Sequence, residues 1–573
     1  MDRDILGIDF GTTNSKMAYM LLDDPKIIEN REGQTITPSI VHFKGEDTFT
    51  VGESAKRNLV VHPDRVVSSI KREMGTDYKK KVGRHKFPPE YIGALIFKKL
   101  FDDAEFRLGK KFIDAVVSVP ANYTDSQRQS ILDAAEIAGV NVLRLINEPT
   151  AAALAYGIRE DRDRKVLVYD FGGGTFDVSI LSVSSGFFDV DASTGEHRLG
   201  GDDIDARIIE HVTKKLHRQL GIDPKKDMSL LATLKEAAEE AKIALSTVES
   251  TTINIPFAAS GKPPFSMVLK RETLNGLIKD LIERTLIPVE QALKDASLEK
   301  SEIDDILLVG GTTLIPAVRQ FVTEYFGKEP LVGDPYTAVA LGAAIAGTEY
   351  GRENARMAKN IEISDVVSCS LGVRVFDGTL SKVIERNTKI PISRTRNYTN
   401  AGDFSDEVII PVYQGDEEIA EDNEYLGEFW ISIEPLPMRQ NSIDVTFEVG
   451  EEFGILHVTA FDATSGNQRT VKLESRSRLS KKEKNKWMKK LVGVESIHVD
   501  IKNKPGKVTL DMFLNPSGTV LDLKRELHEK GIIGEHEILV CDGIEPADNE
   551  RISGLNLKND SEIEIREKNG LEN

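Results

Sequence analysis

The sequence Ile-Asp-Phe-Gly-Thr-Thr-Asn at residues 8–14 returns in altered form as Tyr-Asp-Phe-Gly-Gly-Gly-Thr-Phe-Asp at residues 169–177. Each stretch follows a short apolar run and precedes residues of alternating polarity, which predicts a strand, a tight turn and a second strand. Glycines allow close backbone approach, and successive turn N–H groups can bind an anion. Two ordinary glycine-containing hairpins would look similar. Because the Asp-Phe-Gly start occurs twice, we favour two turns that clamp a polyphosphate, with the aspartates beside a hydrated divalent cation.

The bulk composition is that of a globular chain with several domains. Of its 573 residues, 40% are hydrophobic and 29% are charged. A chain of this length is too long for a single hydrophobic core, so several domains are expected. The formal net charge of -19 disfavours binding to nucleic acid or to anionic membranes. The cysteines, Cys369 and Cys541, give no disulfide framework. We see neither a signal peptide nor an apolar run near the ~20 residues of a membrane span, which predicts a cytoplasmic protein.

The pattern of apolar and polar residues changes along the chain. Residues 1–355 alternate strand-like and helix-like segments, as α/β layers do. Residues 367–475 alternate apolar and polar positions between turn signals, which predicts an antiparallel β domain. Residues 476–492 are rich in lysine and could form a short helix or a linker, and residues 493–573 read as a small α/β roll. Within the first region, residues 274–293 predict one long helix kinked at Pro288.

Two further charged residues could serve a phosphate site. Lys71 could neutralise a phosphate or orient an attacking water, although a lone lysine is more often an ordinary surface residue. Glu148 precedes an alanine-rich helix and could act as a base or bind an aqueous metal, although an acidic residue also stabilises a helix start.

A third group could bind a base and ribose. Glu239, Lys242 and Ser246 are spaced three and four apart, so they share one helix face. The same segment would also suit a generic helix. Gly310 and Gly311 follow a strand and predict another close backbone approach to a ligand.

These motifs together resemble the heat-shock protein 70 (DnaK-type) chaperone family. The matching words are GIDFGTTNS (7–15), SVPANYTDSQRQ (118–129), LINEPTAAALAYG (145–157), YDFGGGTFDVS (169–179), RLGGDDID (198–205), LLVGGTTLIP (307–316), SLGV (370–373), ERNTKIPI (385–392), VYQGDEE (412–418) and GILHVTAFDATSG (454–466). The resemblance implies an actin-like two-lobed ATPase domain over 1–355, an interdomain linker over 356–366 and an antiparallel β-sandwich peptide-binding domain over 367–475.

The resemblance also implies a role for each matching residue. Asp9 and Asp170 would hold the shell of Mg²⁺, and K⁺ ions would lie near Asp9 and Asp177. Lys71, Glu148, Thr175 and Asp177 would position or activate water. The phosphates of ATP or ADP would lie among Gly11, Thr12, Thr13, Asn14, Gly172, Gly173, Gly174 and Thr175, and the nucleoside among Gly200, Gly201, Glu239, Lys242, Ser246, Gly310 and Gly311.

The β domain and its connection to the ATP site carry further implied roles. Pro120 and Arg128 match a switch that couples the two domains. A cleft for extended apolar segments of unfolded clients would involve Val373, Phe376, Tyr398, Ala401, Val408 and Ile410, although sandwich core explains the same residues without the family. A J-domain co-chaperone and a nucleotide exchange factor are implied partners, while nucleic acid and membranes are not.

Several departures from the family pattern are visible. Leu314 stands where an arginine usually covers the adenine, and Tyr336 stands where an acidic residue is usual. The segment between Lys71 and Asp114 is short, which puts exchange-factor contacts in doubt. The linker keeps two apolar residues, Ile361 and Ile363, so we expect weaker docking of the linker.

The helical lid of the family is missing from the sequence pattern. After residues 476–492 comes a segment, 493–573, that resembles a ubiquitin-like β-grasp domain. It lacks a terminal Gly-Gly, which favours a docking module for an unknown partner over conjugation.

The expected function is that of an ATP-dependent molecular chaperone in which slow hydrolysis regulates peptide binding. Two other functions stay open at this point. One is a small-molecule kinase of the sugar type on the same actin-like fold. The other is a non-catalytic scaffold whose shape ATP switches.

Overall fold

A computed structural model gives the architecture of the chain. It describes residues 4–22, 24–157, 163–184, 186–256, 262–331, 333–348, 362–450, 455–474, 479–492, 497–503, 507–514, 520, 523–524, 527, 537–541, 545–547 and 561–567. The chain divides into two compact units. The first comprises Met1–Leu132 and Val142–Arg478, and the second comprises Asp133–Asn141 and Leu479–Asn573.

The α/β layers predicted for residues 1–355 are present. Strands occur at β1 (Ile5–Asp9), β2 (Asn14–Leu21), β3 (Asp24–Ile27), β4 (Thr37–Pro38), β5 (Val41–Phe43), β6 (Phe49–Val51), β7 (Val66–Val67), β8 (Lys80–Val82), β9 (His85–Phe87), β10 (Asp114–Val119), β11 (Asn141–Asn147), β12 (Arg164–Phe171), β13 (Phe176–Ser184), β14 (Phe187–Glu196), β15 (Ser250–Ile255), β16 (Phe265–Lys270), β17 (Asp305–Val309) and β18 (Glu362–Ser364). Helices occur at α1 (Glu53–Lys56), α2 (Pro89–Leu108), α3 (Asp125–Ile137), α4 (Glu148–Gly157), α5 (Gly201–Leu220), α6 (Met228–Leu245), α7 (Arg271–Arg284), α8 (Leu286–Asp295), α9 (Pro316–Phe326) and α10 (Ala338–Ala346).

Two mixed sheets place the repeated turns. One sheet has the order β11-β10-β1-β2-β3, and the other has the order β17-β12-β13-β14-β18. In each sheet the turn joins an antiparallel pair, β1 with β2 and β12 with β13, and a parallel strand flanks the pair on the other side. The predicted strand, turn and strand are therefore confirmed at both places, and each sheet contributes one turn.

The predicted helix over residues 274–293 is two helices, and the predicted position of the kink is wrong. The chain breaks at Thr285, between α7 and α8, and Pro288 lies inside the first turn of α8. A proline ring clashes with the carbonyl four residues earlier, here Arg284, so the distortion lies before Pro288.

The β domain is a sandwich of two antiparallel sheets, as expected. Its strands are β19 (Leu371–Arg374), β20 (Leu380–Ile384), β21 (Ile392–Tyr398), β22 (Glu407–Gln414), β23 (Glu424–Ser432), β24 (Ile443–Val449), β25 (Ile455–Asp462) and β26 (Gln468–Glu474). They form sheets of order β20-β19-β22-β23 and β21-β24-β25-β26. One cluster of buried side chains, including Val412, Phe429 and Phe447, fills the space between them.

The second unit holds a helix and a four-stranded mixed sheet. Helix α11 spans Lys481–Val492, and Lys484 Nζ donates to Glu136 Oε2 at 2.6 Å. The strands β27 (Ile497–Asn503), β28 (Lys507–Leu514), β29 (Glu537–Cys541) and β30 (Ser561–Glu567) have the order β28-β27-β30-β29, with β27 parallel to β30. A hairpin followed by a parallel closing strand is compatible with a β-grasp domain, which stays a prediction. Much of 493–573 lies outside the described residues.

Helix α10 packs closer to its neighbours than side chains would allow. A Cβ on Gly342 would lie 1.7 Å from the carbonyl oxygen of Ala151 in α4, and a Cβ on Gly7 would lie 2.1 Å from the nitrogen of Ala344. The two glycines therefore fix the separation of α10 from α4 and from β1. None of the described helices is long and apolar enough to cross a membrane.

Replacing Gly342 with alanine is expected to lower the free energy of unfolding by about 1–3 kcal/mol, because α10 and α4 must move apart. Gly276 lies on the exposed face of α7 with nothing near its Cβ position. Alanine at this control site should raise the free energy of unfolding by up to about 1 kcal/mol. Calorimetry of the full chain measures both, and equal shifts would contradict the close-packing argument.

Candidate active site

The two turns meet in one cavity of about 370 Å³ between the sheets. Every residue that the sequence assigned to catalysis, nucleotide or metal lines this cavity except Gly174, Gly200 and Asp177. Those three lie directly behind the lining. Gly174 accepts a hydrogen bond from Arg72 Nη2 at 2.6 Å, a Cβ on Gly200 would lie 2.5 Å from the oxygen of Gly173, and Asp177 pairs with Asp170 across β12 and β13.

The facing turns touch each other through a glycine. A Cβ on Gly173 would lie 2.1 Å from Thr13 Oγ1. A side chain at Gly173 would therefore push the two turns apart. Two turns this close together are an arrangement in which backbone N–H groups from both could bind one polyphosphate.

Four buried carboxylates stand beside the turns: Asp9, Glu148, Asp170 and Asp177. Burial, followed by repulsion from the other three, raises the pKa of Asp170 well above its ordinary value. Burial and then Glu148 raise the pKa of Asp177 to about 7. Such a cluster favours a bound cation, because a cation relieves both the desolvation and the mutual repulsion.

The donor set fits a hydrated Mg²⁺ carried by a polyphosphate. Within the described residues, no group of three metal-ligating side chains converges on one point. Mg²⁺ usually keeps several waters and takes one or two carboxylates together with phosphate oxygens. Asp177 Oδ1 is buried without a hydrogen-bond partner among the described residues, so it too could face a cation or a water.

Lys71 is a buried site residue and not the ordinary surface lysine that its sequence context favoured. It lies on a 3₁₀ helix, Ile70–Glu73, and only 3% of it is exposed. Its Nζ donates to Glu148 Oε1. The hydroxyl of Tyr123 donates to the backbone oxygen of Lys71 at 2.8 Å, so the segment that carries Lys71 is held from behind.

Three contacts join residues 56–72 to residues 202–239, and Glu239 among them lines the cavity. Lys56 Nζ donates to Glu239 Oε2 at 3.0 Å. Ser69 Oγ donates to Asp202 at 3.0 Å, and Arg72 Nη2 donates to Asp203 at 3.0 Å. Apart from Glu239, sequence reasoning missed these residues, because nothing in their local pattern shows that the chain brings them together.

Sequence reasoning also missed Lys16. It lines the cavity, and its Nζ donates to Asp9 Oδ2 at 2.7 Å. A signal was available: Lys16 alternates with Ser15 and Met17 and so shares its strand face with Ala18 and Met20, where a lysine needs a partner.

The nucleoside end of the cavity has a mixed lining. Lys242 Nζ donates to Asp205 at 2.7 Å and to the oxygen of Gly201 at 3.2 Å. Leu314 and Tyr336 both line the cavity, and the Tyr336 ring comes within 2.9 Å of the Cβ position of Gly311. This wall is therefore apolar and aromatic where the family pattern has charge.

The predicted peptide cleft is a second cavity, of about 850 Å³, in the β domain. All six predicted residues line it: Val373, Phe376, Tyr398, Ala401, Val408 and Ile410. Phe376 is 86% exposed, so an apolar side chain is available to a ligand at the mouth.

A buried hydrogen-bond chain joins the ATPase region to the linker. Arg128 Nη2 donates to Asn147 Oδ1 at 2.9 Å, and Asn147 Nδ2 donates to Asp365 at 2.8 Å. Pro120 begins the turn before α3, where its oxygen accepts from the nitrogen of Tyr123 at 3.2 Å. Asp365 lies in the linker and accepts the hydrogen bonds of Asn147. Sequence reasoning did not predict this role.

The linker and the β domain also contact the ATPase region directly. Strand β18 pairs in parallel with β14, and Ile363 packs on the core of that sheet. The nitrogen of Asp125 donates to Gln414 Oε1 at 3.0 Å, and Arg386 pairs with Asp295 at 2.7 Å. Polar contacts thus accompany two apolar linker residues among the described ones, Ile363 and Val366, while Ile361 lies outside them.

Comparison with known proteins agrees with this architecture. The sequence model of the family described as "Hsp70 protein" matches residues 5–504. Proteins named "Chaperone protein DnaK" from Thermotoga petrophila, Thermotoga maritima and Thermotoga neapolitana are each 45% identical over 488 residues, which cover 84% of this chain and 82% of each relative.

The raised pKa of Asp177 predicts a pH-dependent stability of the nucleotide-free protein. The group titrates near 3.8 when unfolded and at about 7 when folded, so the native state binds more protons between these values. The free energy of unfolding should therefore fall as pH rises through this window. Asp177→Asn should make that slope less steep, while other buried carboxyls with raised pKa values, such as Asp170, keep part of it.

Thermal unfolding across the window measures the slope in both proteins. The exposed Asp377, in the β domain, provides an Asp→Asn control that should leave the slope in place. A slope that is equally steep in Asp177→Asn would show that Asp177 does not contribute to it.

Proposed function

Since the chain belongs to the heat-shock protein 70 family, we propose that the cavity between its lobes is an ATP site that controls the peptide cleft of its β domain. The chain is an ATP-dependent molecular chaperone with the ATPase activity of its family. Its cofactors are ATP or ADP with Mg²⁺ and K⁺, and it acts on unfolded polypeptides together with co-chaperones.

In this proposal the two turns, including Asn14, hold the phosphates through backbone N–H groups and threonine hydroxyls. Asp9 and Asp170 accept hydrogen bonds from the waters around Mg²⁺, and the ion supplies charge neutralisation of the phosphates when bound. Glu239, Lys242 and Ser246 bind the nucleoside together with Gly200, Gly201, Gly310 and Gly311. Leu314 and Tyr336 supply an apolar wall for the base.

Lys71, Glu148, Thr175 and Asp177 orient the attacking water in this proposal. The ammonium of Lys71 donates to the water or to a phosphate oxygen, while Glu148 holds Lys71 in place. The Asp177 carboxyl, with its raised pKa, can exchange a proton near neutral pH. Positioning and charge are the main contributions that a protein makes to phosphoryl transfer.

One observation supports the proposed coupling between the ATP site and the peptide cleft. Asn147 and Glu148 are adjacent in the chain, at the end of β11 and the start of α4. Glu148 faces the ATP cavity, whereas Asn147 joins Arg128 to the linker residue Asp365. A shift of Glu148 on nucleotide binding must therefore reposition the group that holds the linker.

The finer assignments follow from the same proposal. We assign the ATPase domain to residues 1–355, the linker to 356–366, the peptide-binding domain to 367–475, a short helix or linker to 476–492, and a ubiquitin-like docking module to 493–573. A J-domain co-chaperone and an exchange factor are the proposed co-chaperones, and we propose a cytoplasmic location. The partner of the last module is unknown, and we propose neither nucleic acid nor a membrane as a partner of the chain.

Replacing Asp365 with alanine should uncouple the cleft from the ATP site. Dissociation of a fluorescent apolar peptide from the wild-type protein should be faster with ATP than with ADP. Typical coupling free energies of 1–3 kcal/mol correspond to roughly 5–150-fold effects, and most of this ratio should vanish in Asp365→Ala.

Arg319 pairs with Glu329 at 3.2 Å on the exposed surface of the ATPase domain, so Arg319→Ala is the control that should keep the ratio. Equal dissociation rates with ATP and ADP in the wild-type protein would sink the coupling proposal and favour an ATP-switched scaffold.

Deleting residues 493–573 should leave ATP hydrolysis within about twofold of the full chain, because no residue of the proposed ATP site lies there. Recruitment of partner proteins should change. A truncated chain that folds but no longer binds nucleotide would contradict the assignment of a separate docking module.

A further inference from the structure

Lys16 is a buried cation next to the first turn. Only 9% of its side chain is exposed, and the same fraction holds for its partner, Asp9. The two residues stand directly opposite each other on β1 and β2, so the tight turn between the strands fixes their distance. Opposite charges at such a cross-strand position stabilise the pair.

The ammonium of Lys16 reaches into the ATP cavity. Nζ lies 2.7 Å from Asp9 Oδ2, and Lys16 lines the same cavity as Glu148 and Tyr336. Its positive charge also lowers the pKa of Glu148, although burial dominates and leaves that pKa raised. Lys16 therefore acts on Glu148 as well as on Asp9.

The charges of the cluster come close to balance with Lys16 counted. Four carboxylates (Asp9, Glu148, Asp170 and Asp177) face two lysines, Lys16 and Lys71. When all are ionised, two negative charges remain, before the charges of the nucleotide and its metal are counted. Without Lys16, the site would need one further positive charge.

We propose that the Lys16 ammonium takes the place of a monovalent cation at Asp9, so that K⁺ binds near Asp177 but not near Asp9. The inference rests on the proposed ATP site. A K⁺ ion beside Asp9 would need carboxylate oxygen as ligand, and it would have to share that carboxylate with a like charge already at hydrogen-bond distance.

The surroundings of Asp177 differ from those of Asp9. Its Oδ1 is buried and has no hydrogen-bond partner among the described residues. The amide of Asn122 is close by, since its Nδ2 and Asp177 Oδ1 are both 2.8 Å from the Cβ position of Gly195, and its two polar atoms are likewise without partners in that part of the chain. Unsatisfied oxygens of this kind suit a cation or an ordered water.

Crystals of the full chain with MgADP, grown in Tl⁺ in place of K⁺, test the inference by anomalous scattering. The wild-type protein should show no Tl⁺ peak at Asp9, and Lys16→Ala should gain one there. Lys165 is the matched control, a lysine that pairs with Asp191 at 2.9 Å and does not line the cavity. Lys165→Ala should keep the wild-type pattern.

A solution measurement gives a second readout. The loss of ADP affinity on replacing K⁺ with tetramethylammonium should be at least ~10-fold larger in Lys16→Ala than in the wild type, because that variant has a vacant site for K⁺. Lys165→Ala should match the wild type.

The outcomes separate the two proposals. A Tl⁺ peak at Asp9 in the wild-type crystal, or equal K⁺ dependence of the wild type and Lys16→Ala, would overturn the role of Lys16 while leaving the ATP site intact. A wild-type chain that binds no nucleotide in any salt would overturn the ATP site and this inference with it.

Discussion

Four carboxylates buried in one cleft impose the constraint on which the site depends. Placed together without cations, Asp9, Glu148, Asp170 and Asp177 repel one another and lose their hydration, which is why the pKa values of Asp170 and Asp177 rise. Two lysines offset part of this repulsion, because Lys71 pairs with Glu148 and Lys16 pairs with Asp9. The remaining negative charge is available to a metal that arrives with the nucleotide.

The same constraint explains how a small chemical event could reach a distant domain. In the proposed site, loss of a phosphate would change the charge next to Glu148, and any movement of Glu148 would be shared with Asn147 because the two are covalent neighbours. Asn147 lies in a buried hydrogen-bond chain from Arg128 to Asp365. Buried polar chains are sensitive to geometry, since a group left without its partner carries the full cost of desolvation.

The linker uses backbone pairing and polar contacts as well as apolar burial. Strand β18 extends the second sheet beside β14, and Lys389 on the β domain pairs with Asp189. The apolar surface that the linker buries is therefore only one part of what holds the linker against the second sheet. Ion pairs and hydrogen bonds are also easier to exchange for water than an apolar strip, which suits a connection that must open and close.

Much of this protein could be predicted from its sequence, because the features involved are local. The repeated Asp-Phe-Gly turns, the alternation in residues 367–475 and the helix face of Glu239, Lys242 and Ser246 each depend on neighbours within a few positions. The break before Pro288 was misplaced by three residues, since the clash of a proline falls on the turn before it.

Only the tertiary structure decided which distant residues meet. It buried Lys71 against Glu148, 77 positions away, and joined Asn147 to Asp365 across 218 positions. It also placed the local Lys16–Asp9 pair in the same cavity as both turns. The pairs between Lys71 and Glu148 and between Asn147 and Asp365 join segments that are far apart in sequence. A local residue pattern therefore cannot show that these side chains are close in space.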